Sequence, residues 1–253
     1  MTDTFARFVV LSIDAQGYGR AHDQDQISIQ DELLDVLAAA AAAAGLDRRT
    51  WHRQGKGDEE LALIPAGEPD TETRVVDGFV RELAAVLFRR NYDRPAEGRL
   101  RLRFAVDHGL VRPSSNGYAG RPVIVVSRLV GCRPLRQAMA AAPDANLAVI
   151  LSRQVYTDLV LGGHTTLRPA DFRRVSVSEK ELTDQAWLRV PGVDVHRLQI
   201  TPDPATRDGT ALTERGAPVR ELPGAGRDGQ VVVNEFAGAV DARHGVIGIR
   251  NDR

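Results

Sequence analysis

The chain is poor in thiols and in lysine: its 253 residues include one cysteine, Cys132, and of 33 lysines and arginines only Lys56 and Lys180 are lysine. A single thiol excludes an intramolecular disulfide and any multi-cysteine zinc site, and it fits a reducing compartment. Net charge is missing too. The 33 basic side chains face 34 acidic ones, leaving −1, so no overall positive field points to nucleic acid. No stretch approaches the ~20 apolar residues of a membrane helix, and "MTDTFARFVVLSID" holds too short an apolar run for a signal peptide. A cytoplasmic chain with no membrane partner is therefore expected. What is present, 43% hydrophobic and 26% charged residues with no long-period repeat, suits one large domain with a sizeable core.

Hydrophobic patterning lays out that domain. "RFVVLSID", 7–14, is β-branched and ends in a turn, the pattern of a buried strand. "ISIQDELLDVLAAAAAAAGL", 27–46, has good helix formers, early acids and a closing glycine, with Leu33, Leu34, Val36 and Leu37 as its apolar face. Two short runs flank "GKGD" within 49–65, the chemistry of a tight hairpin with Asp58 at its turn. A second helix over 73–91 ends in arginines, and 98–111 alternates arginine with apolar residues, as a strand with one solvated face should. After the polar turn "RPSSNGYAG", residues 123–142 are expected mostly helical, with a kink or restart at Pro134. A buried strand "NLAVILS", a helix "RQVYTDLVL", and strands "RRVSVSE" and "QAWLRVP" complete the order.

Strands interleaved with helices around a hairpin predict an α+β fold of ferredoxin-like, palm type, an antiparallel-rich sheet covered by helices, over 1–200. From about Thr201 the composition turns to Pro, Gly, Thr and charge, which predicts a flexible linker over 201–229. The tail over 230–253 regains β-formers and is expected to dock on a sheet edge or a protein partner.

Asp14 closes a strand and Asp58 sits at a hairpin turn, so neighbouring strands can bring both carboxylates to one edge of the sheet, where paired oxygens make a divalent-metal site. Between Asp14 and the first helix, "AQGYG" can aim the backbone amides of Gln16, Gly17, Tyr18 and Gly19 at phosphate oxygens. Metal and amides together hold triphosphates. Taken singly each aspartate reads as turn chemistry or a helix cap; taken together the metal reading prevails. His108 reads as a strand-end hydrogen-bonder, Cys132 as a small buried residue, Lys56 as an exposed turn residue and Tyr18 as a packing aromatic.

Four segments in order over 7 to about 190 resemble the class III nucleotidyl cyclase catalytic domain. "SIDAQGYG" is similar to that family's first metal motif, "QGKGDEELALIP" to its second, "FAVDHGLV" to its glycine-ended strand, and "YAGRPVIVVSRL" to its glycine, valine, asparagine, arginine and leucine signature. The resemblance implies that Asp14 and Asp58 bind two Mg²⁺ or Mn²⁺ ions holding a nucleoside triphosphate, whose ribose 3′-hydroxyl attacks the α-phosphate and expels pyrophosphate. It implies that Arg128 stabilises the transferring phosphate, that Lys180 binds the triphosphate, and that the site is shared across a head-to-tail homodimer.

Three positions depart from the family pattern. The ribose-orienting asparagine is Ile124, which cannot make that hydrogen bond, and the adenine-selecting lysine and aspartate correspond to Gln54 and Gly117. Glutamine both donates and accepts, so a purine or a pyrimidine can be read there. A degenerate domain that senses nucleotide, dimerises or recruits a partner is the alternative expectation.

Overall fold

The computed structural model describes residues 4–201. Apart from Thr201, the linker and tail expected over 201–229 and 230–253 lie outside the described residues. The elements run in the order β1 (Ala6–Ala15), α1 (Asp23–Ala43), β2 (His52–Lys56), β3 (Glu59–Pro65), α2 (71–91), β4 (Leu102–Ser114), β5 (Gly117–Ala119), α3 (Arg121–Leu129), α4 (Arg133–Ala141), β6 (Leu147–Ser152), α5 (153–161), β7 (Arg173–Glu179) and β8 (Leu182–Arg189). The eight strands form a sheet ordered β2-β3-β1-β4-β6-β8-β7, with β5 paired to β4 alone. Every pairing is antiparallel except β4 with β6. This is the α+β, antiparallel-rich sheet the sequence predicts.

Both faces of the sheet are covered, and strand alternation explains how. Odd residues of β1, Val9, Leu11 and Ile13, pack with Leu33 and Leu37 of α1, Val76 and Leu83 of α2 and Val155 of α5. The even residues Phe8 and Val10 face Val126 and Leu129 of α3 and Leu135 and Met139 of α4. A central strand buried on both sides needs apolar residues at every position, which is why "FVVL" is continuous rather than alternating. On that second face the pattern then changes to Ser12 and Asp14, and there the core gives way to the site.

Helix boundaries follow local chemistry. α1 begins four residues earlier than expected, at Asp23, and ends in a Schellman arrangement, with Gly45 N–H donating to Ala42 O at 3.1 Å and Leu46 N–H to Ala41 O at 2.8 Å. The helix expected over 123–142 is two helices, broken at residues 130–132, with Pro122 and Pro134 each in a first turn where a missing N–H costs nothing. The last strand lies at Leu182–Arg189, a few residues before its expected place, and β5 occurs where only a polar turn was expected.

The strand over 98–111 is observed as Leu102–Ser114, and the solvated face expected for its arginines is corrected by the structure. Arg101 is half-buried and donates to Ala145 O, Met139 O and Ala142 O at 2.7–2.8 Å, closing the carbonyl end of α4. Arg103 pairs with Asp14. Alternation correctly marks a polar side of the strand, but these partners come from distant segments and keep it from water.

Candidate functional site

Register assembles the site. Asp14 is opposite Glu59 of β3 on one side and Arg103 of β4 on the other, so three charged side chains stand in one row on one face of the sheet. Asp58 precedes Glu59 in the two-residue Gly57–Asp58 turn of the β2–β3 hairpin, and its carbonyl accepts from Ala15 N–H at 3.0 Å. Ser12, two residues back on the same face, donates its hydroxyl to Glu59 Oε1 at 3.0 Å. The sequence reading of Asp14 and Asp58 as neighbours is thus realised, and it missed Glu59 and Arg103. Glu59 had a signal in the run "GDEE"; Arg103 had none beyond its alternation.

The electrostatics are those of crowded carboxylates. Burial raises the Asp14 pKa, Arg103 lowers it, and the charges of Asp58 and then Glu59 raise it again, leaving it near 6 instead of 3.8. A carboxylate disfavoured first by burial and then by the acids beside it is one that an added cation would relieve. Oxygen donors without thiol or imidazole suit Mg²⁺ or Mn²⁺. Among the described residues no three Asp, Glu, His or Cys side chains form a ready metal cage. The remaining ligands would be water and phosphate oxygens, the usual supplement where magnesium is held with a nucleotide.

After Asp14 the chain turns through Gly17, whose φ of 91° is left-handed, into a short helical turn over Tyr18–Arg20. Gln16 N–H donates to Arg101 O at 2.8 Å and Arg20 N–H to Gly17 O at 2.9 Å. Among the described residues the amides of Gly17, Tyr18 and Gly19 have no such acceptor, so of the four expected phosphate donors the Gln16 amide is the one already engaged. Tyr18 packs against Gly57 and its hydroxyl accepts from Gln30 Nε2, which ties this turn to the Asp58 hairpin. A cleft of about 740 Å³ adjoins Gln16 and Gly17, lined also by Arg20, His22 and Arg99, and neither Asp14 nor Asp58 lines it.

Gln54 and Gly117 also meet. Gln54 lies on β2, and the β4–β5 hairpin brings Gly117 so near that a Cβ there would lie 3.3 Å from Gln54 Oε1, at a φ of 109°. His52 and Tyr118 flank the pair with ring centroids 6.5 Å apart.

Arg128 and Lys180 lie elsewhere. β1 ends, and β4 and β6 begin, at the Asp14 end of the sheet; β8 runs antiparallel to β6 and so begins at the other end, where Lys180 forms the β7–β8 turn with φ 53°. Arg128, on α3, donates to Glu181 Oε1 in that turn at 2.8 Å. Arg121, Ile124 and Arg128 share one side of α3 at helical spacing, and Ile124 is 47% exposed. Within one chain these groups stand away from the aspartates.

His108 is buried between Glu72 and Asp158, each 3.1 Å away, and Cys132 is buried with its thiol pushed up to about 12. Lys56 is exposed, facing Glu59 across the hairpin.

At the level of sequence, no family profile and no curated protein matches the chain. Its backbone matches solved structures. The adenylate/guanylate cyclase/hydrolase from Silicibacter pomeroyi superposes with a TM-score of 0.55 at 19% identity, over 74% of this chain and 98% of that one. This is the nucleotidyl cyclase catalytic fold. The guanylyl cyclase Cya2 matches it at TM-score 0.52 and 14% identity, over 79% of this chain and all of its own. The adenylyl cyclase CyaB from P. aeruginosa matches at 0.50 and 13%, over 77% and 99%. Among the described residues no helix is long and apolar enough to cross a membrane.

Proposed function

We propose that the chain is a nucleotidyl cyclase that binds a nucleoside triphosphate with two divalent ions at Asp14 and Asp58 and closes it to a 3′,5′-cyclic nucleotide, releasing pyrophosphate. The observation that carries this reading is the row Glu59–Asp14–Arg103 with Asp58 at its edge, an acid-rich, under-neutralised cluster beside a glycine turn with free amides.

Mg²⁺ or Mn²⁺ bound there would neutralise phosphate charge and lower the pKa of the ribose 3′-hydroxyl. Asp14 and Asp58 would hold the ions, and Ser12 would keep Glu59 turned toward them. The amides of Gly17, Tyr18 and Gly19 would receive phosphate oxygens. Gln54 would read the base as donor or acceptor, with Gly117 leaving the facing position empty of side chain. Arg128 and Lys180 would act from a second copy of the chain, since in their own they sit at the far end of the sheet. The homodimer and a cytoplasmic location belong to the same proposal.

The test is incubation of the purified full chain with each of ATP, GTP, CTP and UTP and with Mg²⁺ or Mn²⁺. A cyclic product and stoichiometric pyrophosphate from at least one are expected; neither from any would falsify the enzyme reading.

A further inference from the structure

Asp14 already has a cation. Arg103 Nη2 contacts Asp14 Oδ2 directly, with both side chains 17% exposed. Other nearby arginines are committed: Arg101 to three carbonyls at the end of α4, and Arg48 to both oxygens of Glu60 at 2.7–2.8 Å. The Arg103 arrangement is incomplete by comparison. Its Nε is buried with no acceptor among the described residues, so the guanidinium makes less than its bidentate best. Asp14 Oδ2 is likewise buried without a formed hydrogen bond among the described residues; a divalent ion cannot reach it from the side the guanidinium occupies, and two cations so close repel.

We infer that Arg103 is a built-in placeholder: it holds the Asp14 carboxylate in position while no metal is bound, and a divalent ion enters by displacing it. The inference rests on the metal reading of Asp14 and Asp58. It makes Arg103 a positioning residue that weakens the affinity for free metal. An ion arriving with a triphosphate brings negative charge that can accept the released guanidinium.

The experiment is Mn²⁺ titration of the full chain by electron paramagnetic resonance, for the unaltered protein, Arg103→Gln and Arg103→Lys. It is paired with nitrogen-15 NMR of the Arg103 guanidinium as Mg²⁺ is added. Arg103→Gln is expected to bind Mn²⁺ roughly tenfold more tightly, and the Arg103 Nε–H signal of the unaltered protein, assigned by its loss in either variant, should change from a held to a mobile side chain as Mg²⁺ saturates. A mere loss of nearby positive charge would not move that NMR signal. Equal Mn²⁺ affinities, or an Arg103 signal unmoved at saturating Mg²⁺, would overturn the inference and leave the metal reading standing. No Mn²⁺ binding by any of the three would overturn both.

Discussion

Asp14 is the side chain on which opposing forces meet. Burial and the charges of Asp58 and Glu59 raise its pKa toward 6 while Arg103 pulls it down, so the folded chain holds this proton more tightly than the unfolded one, where 3.8 applies. The sign follows from linkage: its contribution to stability is complete below pH 3.8 and is lost as pH rises through about 6. In chelator, thermal unfolding should show the unaltered protein losing a few degrees over that window relative to Asp14→Asn, which lacks the titration. Metal binding has the opposite trend, because only the ionised carboxylate coordinates. Mn²⁺ affinity should therefore fall as pH drops below about 6. Asp14 and Asp58 were legible in the sequence because Asp14 ends a short apolar run at a turn and Asp58 sits in the glycine turn of a hairpin. The part played by Glu59, hinted at by "GDEE", and by Arg103 was not, because a row across three strands exists only once register is set. Ile124 is legible as a departure from the signature, and the structure adds that it is exposed on the same side of α3 as Arg128.

Elements with strong local chemistry were read correctly and those fixed by contact were not. The β2–β3 hairpin follows from "GKGD", and the end of α1 from Gly45. The β4–β5 hairpin was missed because a three-residue strand rich in glycine and tyrosine has no periodicity to detect. It exists because β4 continues to Ser114 and pairs back on itself, and the chain then re-enters at Gly120 against β4. A Cβ on Gly120 would lie 2.6 Å from Leu110 O, a backbone atom that cannot step aside. Gly120→Ala should thus cost about 2–3 kcal/mol in urea unfolding. Gly19→Ala, with nothing within 4 Å of the added carbon, should stay within about 0.5 kcal/mol. Comparable losses for both would show that the junction of β5 and α3 is looser than its geometry.

At the scale of the whole molecule, the described residues take the cyclase catalytic fold, with the candidate groups split between two ends of one sheet. Asp14 and Asp58 stand where β1 ends, and Arg128 and Lys180 near the β7–β8 turn, so under the proposed function a second copy would complete each site. Composition and patterning gave no hint of this split, since it depends on the direction of β8 relative to β6. The decisive measurement is complementation. Asp14→Asn and Arg128→Ala chains, each unable to turn over alone, are mixed in equal amounts, allowed to exchange subunits, and assayed for cyclic product with the preferred triphosphate. Half of the dimers would then pair the two variants, each with one intact site, so the account predicts recovery of about a quarter of the unaltered activity. A mixture as inactive as its components, while the unaltered protein turns over, would contradict it.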